Sequence, residues 1–366
     1  MTRRWCTAGV ASLGSAGAVL LAAVTALGAV CLASGCSTVG YLAQSARGHV
    51  ELVRAARPVA DWMNDADASP ALKERLALTQ RMRDFAASEL KEPDNASYRR
   101  YADLKRSAAL WNVVAAPELS LTLQTWCFPV VGCIAYRGYY AEADAKAYAD
   151  TLRAQGQEVA VYGVPAYSTL GLLPGAAFAD PLLNTFIDYP EGELARLIFH
   201  ELAHQIAFAK GDTVFNESFA TAVERLGGAR WLAEHASVAA RDEYARHERR
   251  RQDFRELTMR YRVRLDALYR GPASDADKRT GKAALLAELR AEHEAVKRDR
   301  WGGYAGYDAW FLRANNAAFG VLAAYNELVP NFERLFEREG RDYTRFYATV
   351  KRLADLPAAE RRAALP

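Results

Sequence analysis

The stretch ELARLIFHELAHQIAFAKGDTVFNESFATAVERL, from Glu193 to Leu226, decides how this chain is read. Within it His200, Glu201 and His204 spell H-E-x-x-H. Side chains four apart on a helix differ by about 40° around its axis, so both imidazoles can reach one ion. Glu201 stands beside the first His, where its carboxylate can take a proton from water polarised by that ion. Leu194, Leu197, Ile198 and Leu202 supply an apolar face that Ile206 and Phe208 continue. Two His and a Glu on so apolar a helix are costly without a partner. The helix is expected to enter at Pro190, with Glu191 and Glu193 in its first turn, and to stop at Lys210-Gly211. Asp212 or Thr213 then caps a second helix that ends near Gly227-Gly228. That helix carries Glu217 and Glu224, seven apart and about 20° from eclipsed, so both carboxylates share one face. Either completes a two-His, one-Glu zinc site with the fourth position open.

Outside this stretch, composition sets the class. The chain has 366 residues, 51% hydrophobic and 25% charged, which suits a globular protein of one large or two modest domains. A net charge of +3, with the basic residues scattered among acids, argues against nucleic-acid binding. The first 36 residues differ: Arg3 and Arg4 precede an apolar run from Ala8 to Ala33, which closes in Leu-Ala-Ser-Gly-Cys at Cys36. This is the pattern of a secretory signal. Cys36 resembles the lipobox cysteine that becomes the lipidated first residue of a bacterial lipoprotein, and Ser37 after it resembles outer-membrane sorting in Gram-negative bacteria. The competing reading is an uncleaved anchor, since the run is long enough to span a bilayer. Either way the body is expected in the periplasm. Cys6 and Cys31 fall in the signal, leaving Cys127 and Cys133, with Pro129 and Gly132 between, to close a small disulfide loop.

The remainder reads as α+β and predominantly helical. Residues 37–109 are expected to be helical, with Leu72, Leu76, Thr79, Met82, Phe85 and Ala86 on one face and Pro58, Pro70 and Pro93 as breaks. Residues 110–189 mix strands with one helix: Leu110–Tyr140 extended in pieces, Ala141–Gln155 helical, Glu158–Tyr162 a strand, Tyr167–Leu173 and Asp180–Tyr189 extended. The helix pair occupies 190–228, and 229–366 is helical. Phe254, Leu257, Tyr261, Leu265 and Leu268, then Leu285, Leu289 and Val296, repeat at helical spacing around a break at Gly271-Pro272. A long charged helical hairpin follows from this, either a solvated face or a surface for a membrane or protein partner. Helices over Asp308–Leu328, Asn331–Arg338 and Tyr343–Leu353 close the chain, and 37–366 forms a single domain.

Asn216-Glu217-Ser218-Phe219-Ala220, with Val223-Glu224 after it, resembles the N-E-[GS]-F-A-x-x-x-E segment of gluzincin aminopeptidases. With the lipobox and F-H-E-L-A-H-Q, the chain is similar over its mature length to a bacterial family of predicted aminopeptidases. The resemblance implies a zincin-like fold, one zinc ion on His200, His204 and Glu217, and Glu201 as general base. Only 12 residues separate His204 from Glu217, a shorter connection than in the well-studied gluzincins, and no G-x-M-E-N segment is present to bind a substrate amine. Glu224 therefore stays open as the third ligand, as a group that orients a His ligand or receives an amine, or as a buried partner of an Arg. An oxyanion donor is also needed; Tyr307, in GGYAGYDAWF, is the choice and Tyr304 stands behind it. Asn315 and Asn316 line the cleft or cap internal polar groups, and His235, His247 and His293 are expected to be solvated. The expected function is an exported, membrane-tethered zinc peptidase, with substrate pairing along Tyr167–Leu173 or Leu182–Tyr189. Its rivals are an endopeptidase or cell-wall peptide hydrolase, a zinc-binding scaffold lipoprotein without turnover, and a metal-free helical lipoprotein.

Overall fold

Residues 40–128, 132–168, 179–324 and 327–366 are described in the computed structural model of the chain. The signal run, Cys36 and positions 169–173 lie outside them. The chain parts into two units, Met1–Val50 and Glu51–Pro366. In the first, residues 40–50 are helical (α1).

In the second unit β1 (Arg57–Pro58) and α2 (Val59–Asn64) precede α3 (Pro70–Ser88). Ser69 caps α3 by accepting from Leu72 N–H, and Pro70 supplies a preset φ at its start. The expected helix beyond residue 89 is absent. Arg83, buried in α3, spends its guanidinium on the Pro93, Asn95 and Ser97 carbonyls, which holds that segment as a loop. The loop leads to β2 (Arg100–Ala102).

Among the described residues there are three small sheets. β3 (Leu110–Pro117) lies between β6 (Arg137–Tyr139) and β7 (Gln157–Val164), both antiparallel to it, with Val113 facing Val161. α4 (Glu142–Ala154) crosses between β6 and β7. β4 (Trp126–Phe128) and β5 (Gly132–Ile134) form a ribbon in which Cys127 and Cys133 stand opposite one another and are disulfide bonded. β8 (Leu182–Leu183) runs parallel to β2, which pairs on its other side with β1. Asp180–Tyr189 is thus extended for two residues only; the chain then turns, and Arg75 takes the Ile187 and Tyr189 carbonyls. Both β8 leucines are fully buried, so they present no exposed edge to a substrate strand.

α5 (Glu191–Ala203) and α6 (Thr213–Glu234) form the centre of the main core, in which Leu194, Ile198, Phe199 and Leu202 meet Phe215, Phe219 and Val223. α7 (Val238–Arg270) and α8 (Asp275–Asp299) are the antiparallel hairpin, capped by Ser237 and Ser274 and crossed by Arg264–Glu288 and Tyr261–Glu292 contacts. A second core lies here, built on Phe254, Leu257, Leu265, Leu289, Trp301 and Phe311. The helix expected over Asp308–Leu328 is broken into α9 (Asp308–Leu312) and α10 (Asn316–Ala324), because Asn315 caps the second piece through Ala318 N–H. α11 (Val329–Arg338), α12 (Tyr343–Ala354) and α13 (Ala358–Ala364) complete the chain. Among the described residues no helix is long and apolar enough to cross a membrane.

Candidate metal centre

Two local decisions bring the motif together. α5 ends at its C-cap His204, not at Lys210-Gly211 as its apolar run suggests. The reason lies in Asn216, whose side chain accepts from Ala209 N–H at 2.8 Å and donates to Ala209 C=O at 2.9 Å. Both backbone groups of Ala209 are thereby withdrawn from any helix, and the connection folds back along α6. Asp212 then caps α6 through Phe215 N–H at 3.0 Å and is itself held by Arg361 at 2.6 Å. A connection of 12 residues suffices because so little of it is helical.

The fold-back sets Glu217 against both His. The His200 and His204 Nε2 atoms lie 3.2 Å apart, and Glu217 Oε2 lies 3.4 Å from the first and 3.7 Å from the second. A tetrahedron with metal–ligand bonds near 2.05 Å has edges of about 3.3 Å, so the three atoms can hold one ion. Glu224 approaches the other side of His200, with its Oε2 2.9 Å from Nδ1, although out of line for a ring N–H hydrogen bond. Its second oxygen pairs with Arg196, which also reaches Glu248 at 3.0 Å and Tyr244 Oη at 3.2 Å. Of the sequence alternatives for Glu224, pairing with an Arg is what its contacts show, and the same carboxylate also stands against His200 Nδ1.

Arg196 is buried on α5 because α6 presents a glycine, Gly228, against its aliphatic stem. A Cβ on Gly228 would stand 2.7 Å from Arg196 Cγ, and one on Gly227 2.5 Å from Leu90 Cδ1. The glycine pair was expected to end the helix; α6 runs through it to Glu234, and the glycines serve close packing.

The buried charges of this cluster act strongly on one another. Burial pushes Glu217 up, but His204 and His200 outweigh it and hold its carboxyl well below the usual range. Burial likewise raises Glu224, and Arg196 with His200 brings it down to about 2. Burial would lower His200, yet Glu217 and Glu224 lift it well above an ordinary imidazole. Glu201 is raised, chiefly by burial, against the pull of His200 and His204. Metal binding requires both imidazoles to be neutral, and in that state, with the three glutamates ionised, three negative charges face the one Arg196 guanidinium, a net charge of about −2. A divalent cation cancels that charge, and the N, N, O donor set suits one.

Other predicted residues lie elsewhere. Tyr307 stacks on Phe254 at 4.4 Å in the second core, next to Trp301 and Tyr304, and Tyr304 lies under Arg250 at 4.1 Å. Neither lines the cavity at His204 and Glu217. A loop rich in aromatics next to a helical hairpin packs into that hairpin, so the oxyanion role assigned to Tyr307 has no support. Asn315 and Asn316 bond to the Val159 and the Pro117 and Glu118 carbonyls, tying α10 to the β3–β7 pair. His235 is exposed and stacks on Trp231, and His247 is half-buried near Tyr304. His293 is buried, not solvated, and stacks on Phe311 at 3.9 Å.

Sequence reasoning missed the support beneath the site. Gln205, directly after the motif, donates to Ser97 Oγ and Asp180 Oδ2, each at 3.1 Å, and accepts from Asn95 at 2.7 Å. Tyr98 in the same loop is fully buried at a left-handed φ of 63°, a conformation such a residue holds only when its surroundings fix it. The signal was the polar run Glu92-Pro93-Asp94-Asn95 after a helix, which reads as a turn until its partners are known.

No curated protein and no solved structure matches this chain. A family model does, and its span takes in α3, the Gln205-bound loop, both site helices and the hairpin behind Arg196. Over residues 40–365 the chain matches the family described as "Putative aminopeptidase", and it belongs to that family.

Proposed function

We propose that this protein is a zinc-dependent peptidase with a zincin-like catalytic domain, in which His200, His204 and Glu217 hold one zinc ion and Glu201 is the general base. Membership of an aminopeptidase family supports a peptidase-like activity on peptide substrates. The observation that carries the metal assignment is the convergence of two Nε2 atoms and one carboxylate oxygen at tetrahedral spacing.

Zinc, when bound, supplies a Lewis acid that polarises a peptide carbonyl and acidifies water. The chain's own residues do the rest. Glu224 fixes the His200 ring from its Nδ1 side, and Arg196 fixes Glu224, so ligand orientation is set before substrate arrives. Glu201 follows His200 on the same helix, and its raised pKa suits a group that takes a proton from water and passes it to the leaving amine. Glu201→Gln is expected to keep its zinc on elemental analysis and to lose about 10²–10⁴-fold in peptide hydrolysis. Full activity in that variant would sink the mechanism. Comparison of free with N-blocked peptides separates aminopeptidase from endopeptidase action.

We infer further that the body is exported and tethered by lipid at Cys36, from Arg3 and Arg4, the apolar run and the small residues before that cysteine. Palmitate labelling lost on Cys36→Ser is the expected outcome; an unlabelled chain that keeps its N-terminus marks an uncleaved anchor instead.

A further inference from the structure

Beside the three converging ligand atoms lies a small cavity of about 50 Å³, with His204 and Glu217 in its wall. Ile134 and Tyr136 close it from the β5 side, and Phe208 and Gly211 close it from the connection between α5 and α6. We propose that this cavity receives the side chain of a substrate residue flanking the scissile bond and that it selects a small aliphatic one, in the range of alanine to valine. The inference rests on the peptidase reading and deepens it.

Position comes first. A carbonyl held at the His–His–Glu triad carries its neighbouring Cβ two bonds from the carbonyl carbon, so a pocket walled by two of the ligands is within reach of that side chain. Size comes next. One water needs about 10–15 Å³ of such space, and a cavity that takes a benzene ring is on the order of 150 Å³. A volume of 50 Å³ therefore accepts a methyl or an isopropyl group and refuses an aromatic ring.

Polarity agrees. Besides the two ligands, the lining holds Asn216, Asp212, Thr213 and Tyr136 as polar residues; the first two are already committed, Asn216 to both backbone groups of Ala209, and Asp212 to Phe215 N–H and Arg361. Ile134 and the Phe208 ring add apolar surface, and a polar substrate side chain would lose its water against them.

The wall is also fixed. The ribbon that carries Ile134 is crosslinked by Cys127–Cys133 and sits on the inter-helix turn so closely that a Cβ on Gly132 would lie 3.1 Å from Lys210 Cγ and 3.2 Å from Gly211 N. A larger side chain cannot displace it without moving the ribbon from the turn that places Glu217.

The test uses trialanine, trivaline and trityrosine, so that either side of the scissile bond meets the same residue. Binding is measured by calorimetry on the full chain carrying Glu201→Gln, and hydrolysis on the wild type. Trialanine and trivaline are expected to bind and turn over at least about tenfold better than trityrosine. The double variant Ile134→Ala, Phe208→Ala is expected to narrow that ratio by admitting the larger peptide. Equal handling of trityrosine and trialanine by the wild-type pocket, or a ratio unmoved in the double variant, overturns the proposal. Selective binding with no turnover of any peptide by the wild type supports the pocket and overturns the peptidase reading; turnover without selectivity does the reverse.

Discussion

At His200, His204 and Glu217, and again at His293, Glu294 and Asp308, one ligand atom from each residue lies within 4.8 Å of the others. Both clusters combine histidine with carboxylates, two His with one Glu against one His with a Glu and an Asp, and each has a buried histidine. They differ first in direction. In the first, both imidazoles turn the same atom, Nε2, toward one carboxylate oxygen. In the second, His293 faces Glu294 with Nδ1, at 3.6 Å, and Asp308 with Nε2, at 3.3 Å, so the two acids stand at different corners of one ring. They differ next in charge. Lys297 donates to Asp308 at 2.5 Å and lies 3.7 Å from Glu294, so an ammonium already fills the role a metal would take. In the first cluster Arg196 sits outside the triad, paired with Glu224 and shared with Glu248. Proximity of donors is thus a weak criterion, and convergence with uncompensated charge is the stronger one.

The comparison breaks most sharply under removal of a ligand. His204→Ala and Glu217→Ala are each expected to abolish stoichiometric zinc on elemental analysis, whereas Asp308→Ala leaves it intact; loss of metal on the Asp308 change would reverse the ranking of the two clusters. A smaller effect follows from Glu224→Gln, which keeps the shape but removes the charge beside His200 Nδ1. Zinc affinity, measured by competition with a chelator, should fall about 10–100-fold. An unchanged affinity shows that Glu224 serves only Arg196, while complete loss of metal makes Glu224 a ligand.

The smallest effect belongs to the second cluster and is read in pH. Burial lowers the pKa of His293 below 6.5, against Glu294 and Asp308, which raise it, and with Lys297, which lowers it further. The folded state therefore binds this proton less readily than the unfolded chain, which takes it up below about pH 6.5. Stability from this group is complete above that value and falls as the pH drops through it. His293→Phe, which keeps an aromatic on Phe311, should unfold in urea with less loss of stability between about pH 7 and pH 5 than the wild type. Equal slopes for the two chains would show that the proton never distinguishes folded from unfolded His293.

Legibility in the sequence followed the range of the interaction concerned. Asp212 was readable as a cap because its partner, Phe215 N–H, is three residues away. The hairpin of α7 and α8 was readable because Gly271-Pro272 interrupts a long period of apolar residues. The end of α5 was not, because Ile206 and Phe208 keep helical spacing while Asn216, from the next helix, takes the backbone of Ala209. Gly227-Gly228 misled for a related reason: a glycine pair looks the same whether it stops a helix or lets Arg196 pass, and only the neighbour decides. Tyr307 is the same lesson in reverse. Its loop looked suited to a site, and its ring found Phe254 first.

The sequence by itself determined the donors: two imidazoles one turn apart, a glutamate beside them, and two more glutamates on one face of the following helix. Helical periodicity is a local rule, so those alignments hold in any fold that keeps α5 and α6 helical. Tertiary structure alone decided which glutamate faces both imidazole Nε2 atoms and which faces His200 Nδ1. That choice depends on how far α6 folds back and how deeply Arg196 enters between the helices, and both depend on contacts with residues far along the chain. The walls of the small cavity, drawn from a disulfide-bonded ribbon some 70 residues before the motif, belong to the same class of fact.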